Sequence, residues 1–225
     1  SAVERYLMSH APAGLVVPTL PSGQQLRGEG GSAVADFSLR IDDDSIPPEE
    51  PTADRLGGAN EYTDPRWLSS VVAMGWRLLK GRQPFPERPA EPRQLGTDAR
   101  VVVVGDWASG NLRAQRVGKQ MRAAVEAARA ERREVHVIHL GDTYYAGWDY
   151  EYRDKFLPHW PVKTEEAAEI GSWSLPGNHD VYTGGHGYYQ VLLEDDRFRP
   201  YHGGSSRFSL ENEHWQLLGL DTAWA

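Results

Sequence analysis

Residues 100–106 read RVVVVGD, and the fold follows from how that stretch is taken. Val101 to Val104 is a continuous apolar run, as expected of a parallel strand buried on both faces, and it stops at Gly105-Asp106. The same figure returns twice. Val135 to Leu140 is a second apolar run and ends in Gly141-Asp142-Thr143-Tyr144-Tyr145. A third strand ends at Leu175 and is followed, after Pro176, by Gly177-Asn178-His179-Asp180. Between the first two runs, Asn111 to Arg133 has helical periodicity, with Leu112, Val117, Met121, Val125 and Ala128 on one side. Its arginines read as a solvated face, because Glu126 sits among them at helical spacing. Helical segments are expected over much of 149–170, and Gly187 to Leu193 reads as a short helix. The β-α-β-α-β order predicts an α/β fold, a mainly parallel sheet flanked by helices with right-handed crossovers. Ser205–Leu210 and His214–Leu220 read as two further strands.

Upstream the texture differs. Residues 1 to about 60 are rich in Gly and Pro, and Asp42, Asp43, Asp44, Glu49 and Glu50 form an acidic stretch that reads as a solvated loop. Phe37, Leu39 and Ile41 alternate with polar neighbours, which suits a short strand over 34–41. Asp64 and Pro65 open a helix as N-cap and first-turn residues. Trp67, Leu68, Val71, Val72, Leu78 and Leu79 recur along it, and Gly81 ends it. Such a helix can dock on a membrane or a partner; packing on its own domain is the plainer expectation. Pro84, Pro86, Pro89 and Pro92 then make a stiff connection. The boundary is placed here: an N-terminal extension over 1–95 and a catalytic-type domain over 96–225.

The chain has 225 residues and a formal net charge of -8, so a broad nucleic-acid surface is not the first expectation. It has no cysteine, which excludes disulfides, thiolate metal sites and cysteine nucleophiles. No run of some 18 apolar residues and no signal-peptide pattern stands in the sequence. A cytoplasmic location is the resulting expectation, although the chain opens on Ser1 rather than Met.

All three polar clusters follow strands, and open α/β sheets bind ligands beyond the carboxyl ends of their strands. Carboxylate, phenolate and amide oxygens suit hard or borderline cations. A carboxylate bridging two cations gives a pair that binds phosphate oxygens and activates a water for in-line attack. A neighbouring imidazole can protonate the leaving oxygen, and an Asp beside it can fix its orientation and favour its charged form.

These residues resemble the calcineurin-like metallophosphoesterases, whose pattern runs GD, GDxxY, GNHD or GNHE, then a later His and GHxH. Within them the chain is similar to the purple acid phosphatases: Gly105-Asp106-Trp107, Tyr145 three residues after Asp142, and Leu220-Asp221-Thr222 all look like that branch. Many members have His where Ala108 stands here, and the purple acid phosphatases have glycine there. Protein serine/threonine phosphatases, with an arginine-glycine pair after the second Asp, fit poorly. The resemblance covers about 100–222 and implies a two-metal site of Fe, Zn or Mn type. Asp106 and Tyr145 would ligate one metal, Asp142 would bridge, and Asn178 would ligate the second. His179 would stand near the leaving group with Asp180 beside it. The implied activity is hydrolysis of a phosphoester substrate, as a phosphatase. The alternatives are phosphodiesterase or nuclease action by the same centre, or a catalytically incomplete binding or regulatory module. The later His and GHxH are absent, so the chain is expected to be truncated at its C-terminus. His202 and His214 are badly placed to replace those ligands, and His186 is the best substitute, though a surface-loop role suits it better.

Overall fold

The computed structural model describes residues 68–224. The strand expected over 34–41, the acidic stretch at 42–50 and the helix-opening residues Asp64 and Pro65 lie outside the described residues.

Two three-stranded sheets pack as an α/β sandwich flanked by helices. In chain order the elements are helix α1 (Leu68–Lys80), β1 (Arg93–Gln94), β2 (Arg100–Val104), helix α2 (Leu112–Ala130), β3 (Val135–His139), β4 (Ile170–Ser174), helix α3 (Arg199–His202), β5 (Phe208–Glu211) and β6 (Gln216–Gly219). The first sheet is β2-β3-β4, all parallel, with Val102 beside Val137 and Val137 beside Ser172. The second is β1-β5-β6, in which β1 runs parallel to β5 and β5–β6 is an antiparallel hairpin. Asn212 makes the hairpin turn, its side chain accepting from the amides of His214 and Trp215 at 2.8 Å each. The sheet expected from sequence is therefore only half of the β structure. The late strands form a layer of their own.

Each face of the first sheet has its own core. Val102, Val104, Val135, Val137 and Ile170 face the helices. There Trp107, Phe156, Trp160 and Phe198 form an aromatic cluster, with Phe156 stacked on Trp160 at 5.1 Å between ring centroids. Val101, Ile138 and Trp173 face the second sheet, against Phe208, Leu210 and Leu217. The central strand β3 is buried throughout, whereas β2 is an edge strand. The expectation that Val101–Val104 is buried on both faces is corrected: Val103 is 51% exposed. The second sheet covers Val101 and stops short of Val103.

Helix α2 is capped by Asn111, whose side chain accepts from the Ala114 amide at 2.8 Å. Its buried stripe is Ala114, Gly118, Met121, Val125 and Ala128, while Leu112 and Val117, expected on that side, are exposed. Gly118 explains the rotation. A Cβ there would strike the His159 carbonyl and the Trp107 ring, so the helix can lie this close only on its small-residue side. Residues Asp149–His159 are helical, partly wound as a wider π-helix that places Tyr152 and Phe156 in the core. Glu166 joins this region to α2: it accepts from Arg122 at 2.5 and 2.9 Å and from Arg129 at 2.5 Å.

Those guanidinium bonds hold the Glu166 carboxyl down at about 2, against an ordinary 4.5. A depressed acid stabilises the fold above its unfolded value and loses that stabilisation as pH falls through the folded one. Stability should therefore drop between pH 4.5 and about 2 more steeply in the native chain than in Glu166→Gln. The difference should be about 2 kcal/mol, read by urea unfolding at each pH. Parallel curves would show that the arginine fork contributes nothing.

Of the part read from sequence as the N-terminal extension, helix α1 packs on the loops after β3 and β4, and the Pro-rich stretch runs along the second sheet. The Ser70 hydroxyl donates to the Tyr145 carbonyl at 3.0 Å. The Ala90 and Leu95 amides donate to Arg207 and Glu211 along the second sheet.

Candidate functional site

The loops after β2, β3 and β4 leave the carboxyl ends of three adjacent parallel strands and are stitched together there. The Asp106 amide donates to the Gly141 carbonyl at 3.0 Å, and the Leu175 amide to His139 at 2.8 Å. Gly141, at φ +104°, has room for no side chain, because a Cβ would fall on the backbone of Gly177. Asp106 and Asp142 themselves take left-handed backbone, at φ 52° and 65°. That conformation is uncommon outside glycine but tolerated by Asp.

Asp180 is the hub. Its carboxylate accepts from the amides of Gly177 and Asp142 at 2.7 Å each and of Thr143 at 3.2 Å, and from the Tyr152 hydroxyl. Burial pushes this acid up to about 6 even though the bonds from Tyr152, Gly177 and Asp142 act the other way. The Nδ1 partner of the neighbouring imidazole is a backbone carbonyl: His179 Nδ1 pairs with the Tyr145 carbonyl at 2.7 Å. A carbonyl can only accept, so Nδ1 carries a proton and donates it there. The ring lies between Tyr144 and Tyr182, at centroid distances of 4.7 and 4.8 Å.

The other expected ligands are also engaged. Asp106 Oδ1 accepts from the Tyr144 hydroxyl at 2.7 Å, and burial first, then this bond, raises the Tyr144 phenol so that it keeps its proton. Asp142 Oδ1 accepts from the His179 amide at 2.9 Å. The Asn178 amide donates to the Tyr182 hydroxyl at 2.9 Å. Tyr145 is turned into the protein, 1% exposed, with Lys155 over its ring.

Among the described residues, the histidines other than His179 do not gather with these acids at the rim. His186 bonds Gln83 at 2.7 Å beside the segment that follows α1. His202 lies between the Ser174 amide and the Ser205 carbonyl, and burial lowers it to about 4. His139 is enclosed with Trp107 and Phe156, and burial lowers it to about 3. His214 pairs with Glu213 at the exposed hairpin. Among the described residues no three His, Asp or Glu side chains are grouped so as to hold a metal ion.

Sequence reasoning missed Glu151. Fully buried, it accepts from the amides of Tyr145, Ala146 and Trp148 at 2.5, 3.0 and 3.0 Å, and so fixes the loop after β3. Its signal was an acid three residues into a helix that starts just after Trp148, where a carboxylate can reach back to the amide before the helix.

Residues 99–220, more than half of the chain, match the family described as calcineurin-like phosphoesterase. The chain belongs to that family. Comparison with curated proteins and with solved structures returns no match. Membership goes with the sandwich and the Gly-Asp turns. It does not carry the metal centre, and the expectation of a two-metal phosphoester hydrolase with Fe-, Zn- or Mn-type cofactors is corrected here. Asp106, Asp142 and Asp180 spend oxygens on internal bonds, and His186, His202 and His214, the histidines weighed as substitutes, are engaged elsewhere. No geometry for a binuclear centre, and hence for metal-activated water, is built from these residues. Among them, too, no helix is long and apolar enough to cross a membrane.

Proposed function

We propose that this chain acts as a catalytically incomplete, binding or regulatory module on the calcineurin-like phosphoesterase fold. The observation that carries the reading is the internal engagement of the rim: Asp180 holds three backbone amides, and among the described residues no set of three metal-holding side chains stands beside it. Without a cation the carboxylates of Asp106 and Asp142 repel a phosphoester rather than bind it. Asp106 and Asn178 remain exposed at the rim and are available to a partner, while Asp142 and Asp180 shape it. Within the family we place the chain beside the purple acid phosphatases, on Trp107, Tyr145 and Leu220-Asp221-Thr222.

The test is an assay of the purified chain on p-nitrophenyl phosphate and on the bis ester, with Mn, Zn or Fe supplied, followed by metal analysis after desalting. Neither ester should turn over above the background of Asp142→Ala, and metal should wash out. Turnover lost in Asp142→Ala would overturn the reading.

A further inference from the structure

Helix α1 is inside out for a helix on a protein surface. Its buried residues are Ser70 and Ala73, with Arg77 half-buried and reaching the Val181 carbonyl. Its large apolar residues face outward: Leu68, Val71, Val72, Leu78 and Leu79 are all exposed, the last two at 88% and 84%. Positions 68, 71, 72, 75, 78 and 79 make one continuous stripe of the helix. Packing on its own domain, the sequence expectation, is thus met by the small side alone. The reason is steric: Ser70 must come close enough to donate to the Tyr145 carbonyl. Contiguous exposed apolar surface of this kind marks an interaction site.

Charge points to one occupant. From residue 68 to 86 there is no acid, and Lys80 stands at the edge of the stripe with Arg153 across the cleft beside it, in a chain of net charge -8. This cleft of about 480 Å³ is lined by Trp76, Trp148 and Tyr150 together with Lys80, Arg153 and Asp149. Aromatic rings with cations at the edge of an apolar helix face are the composition that suits the headgroup level of a bilayer. The thirteen described helical residues are too few to span one. They are long enough to lie in its surface.

We propose that α1 is a peripheral membrane-docking element that seats its Leu/Val stripe among acyl chains, with Lys80 and Arg153 toward anionic headgroups. Two copies of the stripe could also pair, but pairing brings Lys80 and Arg153 no counter-charge, whereas an anionic surface supplies one.

The full chain should co-sediment with phosphatidylcholine vesicles that contain phosphatidylserine, weakly or not at all with phosphatidylcholine alone, and less as salt rises. Leu78→Glu with Leu79→Glu should lower partitioning about tenfold or more without altering the circular dichroism, since both side chains are outside the packing. Lys80→Glu with Arg153→Glu should remove the preference for the anionic vesicles. The proposal fails if no vesicle retains the chain, or if the leucine variant binds as the native chain does. It fails equally if the native chain is a dimer that this variant splits while vesicles are ignored; the occupant is then a second copy.

Discussion

Asp180→Ala should destabilise the fold by about 4 kcal/mol, since a buried polar group left without its partner costs about 1–3 kcal/mol. The amides of Gly177, Asp142 and Thr143 and the Tyr152 hydroxyl all lose their acceptor together. Asp180 is 1% exposed, so water cannot readily replace it. Asp180→Asn keeps the shape but turns an NH₂ toward donors, and should recover only part of the loss. His179→Ala is the control. Its Nδ1 bond runs to a carbonyl that Ser70 also satisfies, so loss of that bond should cost about 1 kcal/mol. Urea unfolding followed by circular dichroism reads all three. A cost for Asp180→Ala no larger than that for His179→Ala would remove Asp180 from the centre of the rim.

Trp173→Ala should cost a similar amount, about 4 kcal/mol, the range for truncating a buried aromatic side chain. Trp173 is fully buried in β4, where the two sheets meet. Its ring stands 4.7 Å from Phe208 and 5.3 Å from Tyr201, so truncation opens a cavity on the second-sheet side. Its Nε1 donates to His136 Nδ1 at 3.0 Å, while His136 Nε2 meets Glu134 at 2.6 Å. These two partners fix the Nε2–H tautomer, and the truncation orphans Nδ1. Trp173→Phe fills most of the volume but not the bond, and should cost about half as much. Thermal or urea unfolding decides it. Equal stability of Trp173→Phe and the native chain would mean that the bond to His136 adds nothing.

The first sheet was legible because each of its strands is a local apolar run that ends in glycine. The apolar runs at 101–104 and 135–140, and a third strand ending at Leu175, need no partner to be recognised. The second sheet was not. A two-residue strand at Arg93–Gln94 has no periodicity, and it exists because Leu210 and Glu211 pair with it from more than a hundred residues away. The exposed Val103 was hidden for a related reason, since sequence marks a residue as apolar and not as belonging to an edge. At the rim, spacing told where the chain turns. Asp106, Asp142 and Asn178 do follow three strands that are neighbours. Spacing could not tell that Tyr144, Tyr182 and backbone amides would occupy their polar atoms, because those partners are set by χ angles and by loop packing. Helix α1 shows the same limit. Its apolar pattern was plain, but which side met the protein depended on Ser70 reaching a carbonyl on a distant loop.

The bonds made by Asp180 also carry a statement about order in time. They join it to Asp142 and Thr143 across 38 and 37 residues of chain. Such long closures are entropically expensive until intervening structure has brought the ends together. The carboxylate can therefore find its amides only after β3 and β4 are in register, which makes the rim a late event in folding. By the same reasoning it is an early event in opening, and the loops should come apart as one cooperative piece while the strands beneath them stay paired. A partner that grips the rim would thus act on the least persistent part of the molecule, and would tighten it by holding closed what the sheet alone leaves free to open.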